Sequence, residues 1–282
     1  MQVQYTTVNT EPDVLTRLQR RKSFAISGHE VSTANVSAVI ITLNEEAIIA
    51  ETLSKLWWCN EIIIDDSGST DKTVAICEQH GSTVFFRPFN GFGEQKNFGV
   101  SKAKNNWILC IDADEILSEP LIDEMRAELG KPQIDYVAFT VPRNLVFMNK
   151  VFEYGKESGS SLIRLFNKAH GGWDGAVVHE KVTVKGSVKK LKNKILHYSY
   201  HDYNQFLTKI NLYSSLGSKK MLERKSTKGK ALVVLALPFN FFKYYMVDRN
   251  FLNGYRGFVW AVFNTFYHFV KYLKFQELKK SR

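Results

Sequence analysis

The feature that most constrains this chain is a series of short, β-branched apolar runs, each followed by a turn and then by apolar residues at helical spacing. "VSAVIITL" (Val36–Leu43), "EIIIDD" (Glu61–Asp66), "STVFF" (Ser82–Phe86) and "WILCI" (Trp107–Ile111) are the runs. Between them lie "EEAIIAETLSKLWW", "STDKTVAICEQHG" and "NGFGEQKNFGVSKAKN". A strand that is apolar without alternation is covered on both faces, and strands alternating with helices build a mainly parallel sheet. The reading is therefore an α/β layer, a mostly parallel central sheet flanked by helices, over roughly residues 36–129.

The fourth run carries on into "DADEIL", which sets Asp112, Asp114 and Glu115 at the end of a buried strand. Like charges this close repel, and burying them is costly without compensation. Open parallel sheets bind ligands at the carboxyl ends of their strands. No G-x-G-x-x-G follows the first run and there is no Walker lysine, which argues against dinucleotide oxidoreductases and P-loop enzymes. A nucleotide bound without a glycine cradle needs another counter-charge. Alternate residues of an extended D-x-D can turn to one side and share Mg or Mn, whose shell substrate phosphates complete. Asp112 and Asp114 are the expected ligands. Asp66, an acceptor only, suits an imide N–H such as that of uracil, while "DDSGSTD" is also good turn chemistry. Lys96 has two partners open to it, a phosphate or an acidic group.

Beyond Pro132 the rhythm gives way to strands and loops with one hairpin, and then to a long helix capped by Asp202. The last stretch, with "ALVVLALPFNFF" and "GFVWAVFNTFYHFV", is aromatic-rich and interrupted by Lys243, Arg249 and Arg256. These runs are shorter than the roughly 20 residues a bilayer-spanning helix needs, and their composition suits a helix lying in the membrane interface. A buried helical hairpin with a basic edge is the alternative. The formal charge of +10 belongs to this tail, because 14 Lys/Arg and 3 Asp/Glu follow from Lys219 onward. The near-neutral remainder offers no broad positive face for nucleic acid. Cys59, Cys77 and Cys110 have no metal-site spacing and read as buried thiols of a reducing cytoplasm. Residues 1–35 form a polar extension without the apolar segment of a signal peptide.

Taken in order, "VIITLNEE", "IIIDDSGSTD", "GFGEQKNFGV" and "WILCIDADE" resemble the nucleotide half of family 2 glycosyltransferases with the GT-A fold. "RLF", "W-x-G-x-V-H-E" and the basic aromatic tail resemble the bacterial lipopolysaccharide-core glucosyltransferases among them. Ser67 stands where many members have Gly, and Asn253 where Asp is expected. The resemblance implies a GT-A catalytic domain over 36–218, with a nucleotide half (36–129) and an acceptor half (130–200), followed by a helical basic region (219–282). It implies an inverting, metal-dependent transfer of a hexose, often glucose, from a UDP-sugar to a lipopolysaccharide-core or related glycolipid. The enzyme is expected in the cytoplasm, peripheral on the inner face of the cytoplasmic membrane. Thr42, Asn44, Glu45 and Asp66 are then expected at the nucleoside, and Asp112 and Asp114 at metal and diphosphate.

Inversion by direct displacement needs a base for the acceptor hydroxyl. "GGWDGAVVHEKV" supplies Glu180 as the first candidate and Asp174 as the second, with His179 a further metal or diphosphate ligand. Arg164 is open between the diphosphate and Glu180, and Trp173 between a sugar face and the core. Rival readings are a polyprenyl-phosphate glycosyl synthase, which shares the donor half, and a non-enzymatic membrane-binding α/β module. A sugar nucleotidyltransferase is disfavoured by its missing glycine-rich signature.

Overall fold

The structure, a computed structural model, describes residues 34–174, 180–200, 202–224 and 230–280. His179 and all of the amino-terminal extension except Ala34 and Asn35 lie outside the described residues. The chain forms two compact units. One comprises the residues up to Val141 together with Ser161–Ile195; the other comprises Pro142–Ser160 and the chain from Leu196 onward.

In the first unit, β1 (Val36–Thr42) pairs in parallel with β2 (Glu61–Asp66) and with β4 (Trp107–Asp112). β2 pairs with β3 (Thr83–Phe86), and β4 pairs antiparallel with β8 (Ser158–Asn167) through Leu109 and Leu165. The alternation of a strand explains why these runs are apolar throughout. Ala38, Ile40, Ile62, Ile64, Leu109 and Ile111 face one side, where they pack with Leu53, Leu56, Leu121, Ile122 and Met125. Val39, Ile63, Ile108 and Cys110 face the other, against Val100, Phe166 and Trp173. The crossovers are α1 (Ile49–Ser54), α2 (Thr73–Gln79) and α3 (Phe92–Lys102). Gly81, just past the end of α2, has φ +71°, a left-handed conformation that glycine adopts without strain.

Within residues 36–129, two elements were not assigned from sequence: β5 (Glu115–Leu117) and α4 (Glu119–Leu129). Pro120 opens α4, and Leu121, Ile122, Met125 and Leu129 are its buried face. After β6 (Ala138–Phe147) and β7 (Lys150–Val151), the expected hairpin is β9 (Gly171–Trp173) paired antiparallel with β10 (Val182–Val184), with Trp173 opposite Val182. All three cysteines are free and buried.

The second unit is mostly helical: α5 (Tyr203–Glu223), α6 (Lys230–Phe242), a π turn (Lys243–Val247), a 3₁₀ turn (Asn250–Asn253) and α7 (Tyr255–Lys280). The Asp202 carboxylate accepts the Gln205 N–H at 2.7 Å, the expected cap. This helix clusters with the carboxyl-terminal helices, because its buried face meets their rings. Phe206 stacks on Trp260 at 5.5 Å, and Phe147 meets both edge-on. Asn253, the departure noted in the tail, has an internal role. Its amide donates to the Tyr154 carbonyl at 3.0 Å and accepts the Glu153 N–H at 3.2 Å.

Candidate active site

Parallel register brings Thr42, Asp66 and Asp112 to the same end of the sheet, Thr42 opposite Asp66 and Ile41 opposite Asp112. The Thr42 hydroxyl donates to Asp66 Oδ1 at 2.9 Å. Asp66 also accepts the Gly68 and Ser69 N–H groups at 2.9 and 2.8 Å, and the Ser69 hydroxyl. A carboxylate has about four acceptor positions, so this turn uses all of them. Gly68 sits at φ +107° within it.

The neighbouring segment is pinned in the same way. Asn44, at φ 55°, accepts the Thr70 N–H at 2.8 Å through its side chain. The Glu45 N–H donates to Thr73 Oγ1 at 2.8 Å. Thr42, Asn44, Glu45 and Asp66 thus form one rigid lip at the strand ends.

Asp65 was not singled out from sequence. Strand alternation turns it away from the Thr42 side, toward the face that α3 covers. It is fully buried, and neither carboxylate oxygen has a hydrogen-bond partner in the structure. Burial pushes its pKa up to about 7, with Arg87 opposing and Asp66 adding to the rise. The readable signal was the doubled Asp ending an apolar strand, since only one of two adjacent residues can serve the turn.

The acidic triplet is met by two buried cations. Lys96 Nζ lies 2.8 Å from Asp112 Oδ1 and 2.8 Å from Glu180 Oε1. Arg164 lies 2.9 Å from Asp112 Oδ2 and 2.6 Å from Glu115 Oε1. Glu180, Lys96, Asp112, Arg164 and Glu115 therefore alternate in sign along one chain of contacts. Burial, the largest influence on both cations, opposes their charge; Asp112 at Lys96, and Glu115 with Asp112 at Arg164, reverse it. Both pKa values end above their ordinary values, so both side chains are charged. Burial lifts the adjacent Cys110 thiol to about 12, with Lys96 and Arg164 opposing and Asp112 adding to the rise, and it stays neutral.

The indole of Trp173 lies beneath this chain, with Lys96 Nζ 4.4 Å and the Arg164 guanidinium carbon 5.9 Å from the ring centroid. Cations over an aromatic face are attracted by its quadrupole. Trp173 is thus buried beneath the pairs, with Lys96 meeting Asp112 and Glu180 and Arg164 meeting Asp112 and Glu115. Asp114 is partly exposed beside them. Asp174 closes the hairpin: its N–H donates to the Lys181 carbonyl at 2.8 Å, and its carboxylate accepts the Lys181 N–H at 2.9 Å. Among the described residues no three His, Cys, Asp or Glu side chains group so as to hold a metal by themselves.

An α/β sheet whose strand ends carry an acceptor-rich lip and a D-x-D is the frame of a nucleotide-sugar transferase. Residues 37–229 match the profile of Glycosyl transferase family 2. The chain belongs to that family and is a glycosyltransferase with its GT-A type fold. A Rickettsia felis protein described as an uncharacterized glycosyltransferase is 33% identical over 88% of this chain and 92% of its own length. The lipopolysaccharide core biosynthesis glycosyltransferase LpsC of Rhizobium meliloti is 28% identical over 83% and 89%. Among solved structures, TarS 1–349 of S. aureus in complex with UDP-GlcNAc aligns with a TM-score of 0.45 at 13% identity, covering 83% of this chain and 81% of that one.

Proposed function

We propose that the enzyme moves a hexose, glucose foremost, from a UDP-sugar to a lipopolysaccharide-core or related glycolipid acceptor with inversion at the anomeric carbon. Family membership and the likeness to LpsC support the acceptor class. The observation that carries the donor half is the convergence of the Thr42–Glu45 lip, the Asp65–Asp66 turn and the D-x-D at one sheet end. The lip receives the nucleoside. Because the Asp66 lone pairs are committed to the turn, its carboxylate acts chiefly by holding the lip in shape.

The donor set fits a hard divalent cation. Both oxygens of Asp112 already meet cations, so Asp114 would be the direct ligand with Asp112 behind it, and His179 is a further candidate. An ion with few protein ligands suits Mg or Mn, which complete their shells with substrate phosphates and water. When bound, the metal supplies positive charge to the departing diphosphate. The chain's own residues do the rest. Arg164 and Lys96 neutralise the buried carboxylates so that the strand end stays folded without donor. Glu180, 14% exposed, takes the proton from the acceptor hydroxyl through a carboxylate oxygen, and Asp174 is the reserve candidate for this role.

Contact with a membrane is supported by the second unit. On α6, Val234, Leu235, Phe239 and Phe242 are 58, 71, 65 and 55% exposed; on α7, Tyr255, Phe258, Val262, Phe266 and Leu273 form an exposed stripe. The spacing within each helix puts these residues on one face, beside the basic residues of the tail. No described helix is long and apolar enough to cross a membrane. We place the enzyme peripherally on the cytoplasmic face of the inner membrane. UDP release from a panel of nucleotide sugars, with and without Mn or Mg and with a lipopolysaccharide-core fragment or polyprenyl phosphate as acceptor, tests the proposal. Metal-stimulated transfer to the core fragment supports it, and transfer to polyprenyl phosphate alone would reassign the acceptor.

A further inference from the structure

We propose that Lys96 is a positioning residue of the transfer reaction: its ammonium ties Glu180, on the acceptor side, to Asp112, at the donor side, and sets where the base stands. The inference rests on Glu180 being that base. Of the two partners open to Lys96 from sequence, a phosphate or an acidic group, it takes the second.

The Lys96 side chain is 2% exposed, and its ammonium sits 2.8 Å from one oxygen of each carboxylate. An ammonium has three donors, and these two contacts with the indole face below leave it little room to turn outward. A charge-assisted pair on a rigid helix fixes direction as well as distance. Glu180 needs such support, because it lies in the connection just before β10 and not within a strand.

The helix is built to carry Lys96 this deep. A methyl group at Gly99, one turn on, would come 2.5 Å from Val39 Cγ1, so only glycine lets α3 lie so close to β1. Asn97, the next residue, accepts the Trp173 N–H at 3.2 Å and donates to the Trp173 carbonyl at 3.0 Å. Consecutive residues of α3 thus hold β9 and the base. A diphosphate contact would instead call for a cation with exposed donors.

The test is a double-mutant cycle of Lys96→Met and Glu180→Gln, with Lys96→Arg as the conservative variant. Turnover is read beside calorimetric binding of UDP with Mn²⁺ and thermal melts. Lys96→Met is expected to lower kcat about a hundredfold, the scale of a misplaced general base, with UDP affinity within about threefold of wild type. Lys96→Arg should recover part of the rate. The double variant should be no slower than Glu180→Gln alone, because one device has been removed twice. Additive losses, or a drop in UDP affinity of tenfold or more in Lys96→Met, overturn the proposal. If Lys96→Met does not fold, Lys96→Arg decides: reduced kcat with unchanged UDP affinity supports the assignment, and the reverse refutes it. A near-normal rate for Glu180→Gln removes the base itself. A slow Glu180→Gln with a normal Lys96→Met removes only the role of Lys96.

Discussion

Replacing Asp65 with Asn should make the protein more stable at pH 8 than at pH 5 relative to wild type. The carboxyl is fully buried with neither oxygen hydrogen-bonded, and its pKa is pushed from 3.8 to about 7. A carboxyl raised in the folded state binds its proton more tightly there than in the unfolded chain. Its favourable contribution is complete below about pH 4 and is lost as pH rises through 7. At about 1.4 kcal/mol per unit, the two units between pH 5 and 7 amount to about 2.8 kcal/mol. Water near the strand end screens part of this, leaving about 2 kcal/mol. Asn has nearly the same shape and no charge to bury. Urea denaturation of both proteins at pH 5, 6, 7 and 8 measures the gap. It should open by about 2 kcal/mol in favour of the variant across that range. Parallel stability profiles would show that Asp65 titrates normally and that its burial carries no penalty.

Arg164→Met should cost about 3–5 kcal/mol by denaturant titration, because Asp112 and Glu115 lose a shared buried partner; a loss under 1 kcal/mol would mean the triplet is solvated. Gly99→Ala should cost about 1–3 kcal/mol by the same assay, since its methyl meets Val39, and unchanged stability would show that α3 can lift off the sheet. Replacing Leu235, Phe239 and Phe242 together with Ser should lower binding to anionic vesicles at least tenfold in co-sedimentation while leaving donor hydrolysis intact. Equal binding by the variant would remove α6 as the contact.

The fold was legible where burial is two-sided. Val36–Thr42, Glu61–Asp66 and Trp107–Asp112 each carry a run of apolar residues without alternation, because both faces are covered. The elements missed were those whose signal is short or interrupted, β5 and the Pro-opened α4. The division of the chain was less readable, because the apolar stripe of α5 shows that it packs but not on what. Within the site, the D-x-D and the turn after β2 could be read from local chemistry. The counter-charges could not. Lys96 and Glu180, like Arg164 and Asp112, are brought together only by the topology of the sheet, and the glycine-rich α3 has too weak an amphipathic pattern to show which of its residues points inward. The roles of Asp65 and Asp66 separate only once it is known which face α3 covers.

The central claim is that a divalent cation held at Asp114 makes the strand end a diphosphate site. Isothermal titration of UDP into wild type and Asp114→Asn, each with Mn²⁺ and with EDTA, addresses it without needing an acceptor. Wild type should bind UDP at least tenfold more tightly with Mn²⁺, and the variant should show no metal effect at an unchanged melting temperature. UDP binding that ignores Mn²⁺ in wild type, or a metal effect that survives in Asp114→Asn, would contradict the claim.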